Sequence, residues 1–185
     1  MSEGNMRVFK LSYDSTSTAD NAIDAETLGT SLINMSALIK ESVKVLNGED
    51  ADARVEVKAH EPGSFVVEFV AWLDAGGIDV LRVLGITSAT TAVSIGNVFA
   101  ALKALKSRKH TEKHIKNGMT ELILKDGDKI TLPTEVDMLI SNHSVRSKLE
   151  QIFKKASELE GQATVKILNE RDQVVEEVTN SEAKF

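Results

Sequence analysis

Apolar and polar residues alternate in several short stretches of the chain, and this period of two is typical of β-strands with one buried face. The clearest case is RVEVKAH at 54–60, in which Val55 and Val57 fall on one face. The stretch FVVEFVAW at 65–72 follows after Glu61-Pro62-Gly63-Ser64, where Pro and Gly favour a turn. We therefore predict an antiparallel hairpin from these two stretches.

Other alternating stretches predict a separate strand and two further hairpins. RVFKLSY at 7–13 predicts the separate strand. MTELILK at 119–125 and DKITL at 128–132 flank Asp126-Gly127, a dipeptide that favours a tight turn. The last predicted hairpin is formed by ATVKIL at 163–168 and QVVEEVT at 173–179.

A longer segment repeats its apolar residues every three or four positions, which is the spacing of an α-helix with one buried face. Asp24 is a favourable N-cap before this segment, and Asn47-Gly48 is a favourable stop after it. The repeating positions are Leu28, Leu32, Met35, Ile39, Val43 and Leu46. We predict one helix between these two limits.

Two shorter helices are predicted in the C-terminal half of the chain. The first opens at Pro133-Thr134 and runs to about Ile140, because Pro is well tolerated in the first turn of a helix. The second has Ser144 as its cap and Gly161 as its stop. Its inward positions are Val145, Leu149, Ile152, Phe153, Ala156 and Leu159.

Residues 78–116 also repeat apolar positions at a helical spacing, and Gly85-Ile86-Thr87 marks a point where two helices can meet. Gly118 would close the helical part. The complete pattern predicts an α+β fold, in which antiparallel β-hairpins pack against helices. We expect a single domain over residues 1–185, with a helical hairpin inserted at about 78–116 that ends in a basic run.

The stretch 83–102 holds twenty residues without a charge, and three interpretations of it remain open. Its length and the basic run after it fit a transmembrane helix. Its Ser, Thr, Gly and Asn content favours instead a tightly packed helical hairpin, within the domain or between subunits. The third interpretation is a soluble form that inserts the hairpin reversibly into a membrane.

The charges are distributed unevenly around the basic run at 103–116. This run has six cations and Glu112 alone as a carboxylate, a net +5, so the rest of a chain of net −6 carries −11. On a helix, four of the lysines would form one stripe, which is either a solvated face or a surface for phosphates, anionic lipid or an acidic partner. The candidate ligand-binding residues are Lys103, Lys106, Arg108, Lys109, Lys113 and Lys116.

Catalytic chemistry finds little support in the sequence. The chain has no cysteine, which excludes disulfides, thiolate nucleophiles and zinc–thiolate sites. His110 and His114 would share a helical face, but HTEKH departs from the H-E-x-x-H pattern and the neighbouring lysines repel a metal cation. His60 and His143 have no local partner that indicates a hydrolase. We expect no enzymatic activity, no metal and no cofactor.

The remaining composition bears on partners and compartment. No aromatic residues interleave with the basic run, so nucleic acid is not an expected partner. The N-terminal residues lack an apolar core after a basic start, which does not fit a signal peptide. Together with the absence of cysteine, this predicts a cytoplasmic protein, with membrane association as the alternative.

The order of several segments is similar to that in a group of uncharacterised bacterial and phage or prophage proteins. These segments are VEVKAHEPGSFVVEF, VLRVLGIT with VFAALKALKSRK, ISNHSVRSKLEQIF and GQATVKIL, within residues 25–185. Gly63-Ser64-Phe65 is the sharpest shared feature and is turn chemistry. Longer members continue beyond Phe185, so a short form or a truncation is expected. The resemblance implies no activity, but its phage setting suggests a small viral protein that binds a host factor or sequesters a nucleotide signal.

These observations together predict a non-catalytic binding protein that forms a homo-oligomer through residues 78–105. The basic residues at 103–116 would then contact an anionic small molecule, such as a nucleotide, or a protein partner from the host. The alternative is a membrane-interacting protein that inserts residues 83–102 while the basic run stays at the lipid headgroups.

Overall fold

The computed structural model describes residues 5–14, 23–58, 66–74, 76–87, 95–157 and 164–179. These residues form eight strands and five helices in an α+β fold, as the sequence predicts. In chain order the elements are β1 (Asn5–Asp14), α1 (Ala25–Asn47), β2 (Ala53–Lys58), β3 (Val66–Leu73), α2 (Val80–Leu84), α3 (Val98–Leu105), β4 (His110–Lys116), β5 (Met119–Leu124), β6 (Lys129–Pro133), α4 (Thr134–Ser141), α5 (His143–Ser157), β7 (Thr164–Asn169) and β8 (Val174–Thr179).

The larger of two sheets has five antiparallel strands in the order β2-β3-β1-β7-β8. The first strand lies at its centre, between the first and last hairpins. Phe9, Leu11 and Tyr13 of β1 are buried on one face, as their alternation predicts. Phe9 stacks on Phe69 of β3 with ring centroids 5.0 Å apart, so the two central strands anchor the core.

Helix α1 has the limits that the sequence predicts. The Asp24 side chain accepts the backbone N–H of Thr27 at 2.8 Å, which satisfies a donor that the first turn leaves unpaired. At the other end the helix stops before Gly48, which has φ 99° and donates its N–H to the carbonyl of Lys44. Helix α1 packs mainly against α5.

All three predicted hairpins are confirmed in their described parts, namely β2 with β3, β5 with β6, and β7 with β8. Val57 of β2 remains 45% exposed, although its alternation predicts an inward position. The reason is that β2 is an edge strand and has a neighbour on one side only. The turn residues 61–64 and Phe65 lie outside the described residues.

The prediction of a helical segment reaching Lys116 is wrong, because residues 110–116 form strand β4. This strand pairs with β5 across the turn Asn117-Gly118. Both turn residues have positive φ, 52° and 73°, which matches the twist of a two-residue hairpin. Gly118 therefore turns a hairpin and does not end a helix. Strands β4, β5 and β6 form the second sheet.

Residues 83–102 do not form one continuous helix. Helix α2 ends at Gly85, which has a left-handed φ of 94°, and α3 starts only after Asn97, while residues 88–94 lie outside the described part. None of the helices in the described ranges is both long and apolar enough to cross a bilayer. Val83, Leu84, Val98 and Phe99 are buried in the core of the chain, as the packed interpretation requires.

The two C-terminal helices are where the sequence predicts them, with one change of cap. Asn142, rather than Ser144, caps α5, since its side-chain oxygen accepts the N–H of Val145 at 3.1 Å. The inward positions Val145, Leu149, Ile152 and Phe153 are buried as predicted. Leu159 and Gly161 lie outside the described residues, as does the side chain of Ala156.

Candidate anion-binding site

The six candidate cations are divided among a helix, a connection and a strand. Lys103 lies in α3, whereas Lys106, Arg108 and Lys109 lie in the connection after it, and Lys113 and Lys116 lie on β4. The predicted lysine stripe required a helix through Lys116, so the strand removes it. Of the six, Arg108 and Lys109 line the cavity described below.

Two of the lysines are engaged in ion pairs with carboxylates from distant elements. Lys103 pairs with Glu176 of β8 and also donates to the backbone carbonyl of Glu177 at 2.8 Å. Lys113 pairs with Asp137 of α4, a carboxylate that is only 2% exposed. A buried carboxylate such as Asp137 needs such a partner, and both lysines join elements that are distant in the chain.

Arg108 joins the end of α3 to the turn between β5 and β6. Its Nη1 lies 2.8 Å from Asp126 and 2.6 Å from Asp128. Its Nη2 donates to the carbonyl of Ala104 at 2.9 Å, and its Nε donates to the carbonyl of Leu105 at 3.2 Å. The hydrogen bonds to Asp126 and Asp128 raise the pKa of Arg108, and the hydrogen bond from Arg108 lowers the pKa of Asp126. We interpret Arg108 as a structural clamp.

A cavity of about 410 Å³ lies where the connection after α3 meets β5, α4 and α5. Its apolar wall consists of Leu102, Leu105, Leu122 and Ile140. Its polar lining consists of Ser107, Arg108, Lys109, His110, Asp137, Ser141 and Arg146. A concave site with an apolar wall and a few polar groups is the usual form of a small-molecule site.

Within this cavity, two cations remain without strong compensation. Asp137 is neutralised by Lys113 and accepts a hydrogen bond from the Ser141 hydroxyl at 3.1 Å. Lys109 makes no ion pair among the described residues. Arg146 has only an exposed pair with Glu150 at 3.9 Å, a type of pair that contributes little. The residues that line the cavity next to its apolar wall therefore include three cations, Arg108, Lys109 and Arg146, and one carboxylate, Asp137.

The backbone turns sharply where it enters this cavity. Lys106 and Ser107 are successive non-glycine residues with left-handed φ, 48° and 60°. Lys106 also donates its N–H to the carbonyl of Leu102 at 3.0 Å, which closes α3. This turn carries the chain from α3 to β4 and places Arg108, Lys109 and His110 along the cavity.

Arg146 was missed by the sequence analysis, which did not select it as a candidate. It lies on α5, far along the chain from the basic run, and only the packing of α5 brings it to the same cavity. Within its own helix, Arg146 has the sequence pattern of an ordinary charged residue on a solvated face. No local signal could have selected it.

The three histidines that the structure describes do not come together. On an extended strand, residues four apart are separated by about 13 Å, so His110 and His114 cannot share a metal as they would on one helical face. His114 instead contacts Glu112 at 3.2 Å, and His143 is exposed at the start of α5. His60 lies outside the described residues. Among the described residues, no group of three or more His, Asp or Glu side chains could hold a metal ion.

Comparison of the chain with protein families, with curated proteins and with solved structures finds no match. The similarity to the bacterial and phage group therefore stays a prediction from the sequence. A functional interpretation depends on the geometry and the charge of the site.

Proposed function

We propose that the protein is a non-catalytic binding protein whose cavity between α3, β5, α4 and α5 holds an organic anion. One observation carries this proposal, namely that Lys109 and Arg146 line the same cavity as four aliphatic side chains. An apolar body would displace water from the aliphatic wall, while the anionic group would meet the two cations.

The charges of the lining favour an anion over a cation or a neutral ligand. The carboxylate of Asp137 already has two partners, and Arg108 is held by two aspartates, so these groups offer little to a ligand. The guanidinium of Arg146 can hold a carboxylate or a phosphate through two parallel hydrogen bonds. Lys109 adds a second positive charge at the same site. A nucleotide, the ligand class suggested by the phage resemblance, would place its phosphate on these two cations.

The proposed site includes fewer residues than the six cations that were selected from the sequence. Lys109 stays a direct contact and Arg108 becomes a positioning residue. Lys106 and Lys116 are not among the residues that line the cavity, and Lys103 and Lys113 have structural partners.

Assembly of a homo-oligomer through residues 78–105 stays a proposal, and burial within the chain limits which of these residues a second copy could contact. The apolar side chains at Val80, Leu84, Val98 and Phe99 are buried within one chain. A second copy would therefore have to contact other residues. Membrane insertion of residues 83–102 gains no support from the described helices, so we place the binding function first.

A titration with anilinonaphthalene sulfonate, a fluorescent probe that is both apolar and anionic, tests the cavity. We expect the probe to gain fluorescence with the native protein and to bind about tenfold more weakly to Lys109→Gln and to Arg146→Gln, because each loses a charge-assisted contact. Lys116→Gln is the matched control, since it removes the same charge from an exposed position outside the cavity.

The pattern among the three variants decides between a site and a diffuse charge effect. Weaker binding by the two cavity variants alone supports the proposal. Equal losses in all three variants would show that the probe senses only net charge, and unchanged binding in the cavity variants would place the probe elsewhere. Either result overturns the assignment of this cavity.

A further inference from the structure

A second cleft, of about 440 Å³, lies on the five-stranded sheet side of the molecule, where β1, α2 and the turn between β7 and β8 meet. Three arginines from these three elements line it, Arg7, Arg82 and Arg171. They are far apart in the sequence and none belongs to the basic run. The cleft is therefore a separate feature from the cavity next to α3.

Local structure fixes the elements that carry these arginines. Arg7 lies within the central strand of the sheet, with Ala71 of β3 as its neighbour. Arg82 lies in α2, where the Asp79 side chain accepts its backbone N–H at 3.3 Å. Arg171 lies in a turn that is closed by Asn169, whose side-chain oxygen accepts the N–H of Arg171 at 2.9 Å and that of Gln173 at 3.0 Å.

The charges in the cleft are only partly balanced. Arg7 lies 3.6 Å from Asp79, and Glu170 is the second carboxylate in the lining. The guanidinium groups of Arg82 and Arg171 make no ion pair among the described residues. Three cations next to two carboxylates leave a net positive cleft on a chain whose formal charge is −6. Such a local field attracts anions and repels cations.

We propose that this cleft binds the phosphoryl groups of a small molecule. A guanidinium presents a planar fork of donors that fits phosphate oxygens, and three forks provide more donors than one carboxylate can accept. A diphosphate, with its several oxygens and its multiple negative charge, fits this donor set better than a single carboxylate does. Thr87, which also lines the cleft, adds a neutral hydroxyl.

Calorimetric titration of the full chain with inorganic pyrophosphate tests this site, and titration with adenosine diphosphate shows whether the phosphates or an attached nucleoside provide the affinity. We expect pyrophosphate to bind, with an affinity that falls as salt is added because the cleft is open to solvent. Arg82→Gln and Arg171→Gln should each weaken binding about tenfold, the loss expected for a charge-assisted hydrogen bond. Arg82→Lys should recover only part of this loss, since lysine keeps the charge but not the fork.

Arg54→Gln is the matched control, because it removes the same group from an exposed position on β2 that lines neither cavity. Since Arg82 and Arg171 are exposed, their variants should keep the native unfolding midpoint in the absence of ligand, which separates a binding defect from misfolding. Unchanged pyrophosphate affinity in both cleft variants overturns the proposal, as does an equal loss of affinity in Arg54→Gln. Full recovery by Arg82→Lys would show that charge without geometry is sufficient, and this too contradicts a guanidinium site. Tight binding of adenosine diphosphate without binding of pyrophosphate would show that the nucleoside is recognised, which overturns a site for phosphoryl groups.

Discussion

Two consecutive residues, Lys106 and Ser107, hold a backbone conformation that amino acids with a side chain rarely adopt. Their φ angles of 48° and 60° place the Cβ atom close to the following carbonyl oxygen. Hydrogen bonds fix the turn, since Lys106 donates to the carbonyl of Leu102 at 3.0 Å and Arg108 donates to that of Leu105 at 2.8 Å. The turn therefore ends α3 and carries the chain along the wall of the cavity.

Replacing Lys106 by glycine should relieve this strain. We expect Lys106→Gly to increase the free energy of unfolding by about 1 kcal/mol. Lys106 is the residue that follows α3, and glycine adopts a left-handed φ at such a position without a steric cost. Urea denaturation measures the change. Probe binding in the cavity should stay at the native level, since the Lys106 side chain is not part of the lining.

Lys40→Gly provides the matched control for this residue. It lies exposed within α1, where glycine should lower stability by about 1 kcal/mol relative to a good helix former. Opposite signs for the two substitutions would confirm that the backbone angle, and not the loss of a lysine, is responsible. A decrease in stability for Lys106→Gly would show that the angle at this residue is not strained.

At the scale of elements, one ion pair joins the edge strand β4 to helix α4. Asp137 is 2% exposed and pairs with Lys113, whose side chain is about one-third exposed. The Ser141 hydroxyl donates to the second oxygen of the same carboxylate at 3.1 Å. Removing the lysine alone would leave a buried carboxylate with a single neutral donor.

Lys113→Met should therefore lower the free energy of unfolding by about 2–3 kcal/mol, which is less than for a fully buried pair because the lysine is partly exposed. Adding Asp137→Leu should recover much of this loss, since the double variant no longer buries an unpaired charge. Chemical denaturation of both single variants and the double variant gives the coupling energy.

Lys116→Met on the same strand serves as the reference for this cycle, because the lysine is exposed and makes no ion pair among the described residues. It should change stability by less than about 0.5 kcal/mol. Equal effects of Lys113→Met and Lys116→Met would contradict a specific link between β4 and α4.

The elements that the sequence predicted well are those fixed by local signals. Asp24 accepts the N–H of Thr27 at the start of α1, and Gly48 donates to the carbonyl of Lys44 at its end. Each of these hydrogen bonds joins two residues that are close in the sequence. The β5–β6 hairpin is likewise fixed by its alternation and by Asp126-Gly127. Strand β4 was missed because HTEKHIK has no alternation of apolar and polar residues, and its lysines repeat by chance at a helical spacing. Its conformation depends on pairing with β5.

The residues of the two proposed sites are harder to predict from the sequence than the helices and strands are. Lys109 was identified from its local charge, but Arg146 reaches the same cavity only through the packing of α5. The cleft of Arg7, Arg82 and Arg171 depends on three elements that meet only in the folded chain. Neither arrangement leaves a spacing that could be detected along the sequence.

At the scale of the whole molecule, both sheets and the helices between them contribute to one hydrophobic cluster. Phe9 and Phe69 of the five-stranded sheet belong to this cluster, and so do Leu122 and Leu132 of the three-stranded sheet. Phe99 of α3 packs edge to face on a phenylalanine of α5, with centroids 5.6 Å apart, between these two parts. Because the described buried residues of both sheets belong to this one cluster, loss of packing at one place should destabilise both sheets together.

Phe99→Ala tests this cooperativity, because the chain has a single tryptophan, Trp72, which lies in the five-stranded sheet. We expect the substitution to lower the free energy of unfolding by about 3–5 kcal/mol, the usual cost of removing a buried aromatic ring. Far-ultraviolet circular dichroism and Trp72 fluorescence should give the same denaturation midpoint in the native protein and the same shift in the variant. Val174→Ala, at a side chain that is 51% exposed, should leave both midpoints nearly unchanged. A variant whose circular dichroism midpoint falls while its Trp72 midpoint stays would show that the five-stranded sheet has a core of its own.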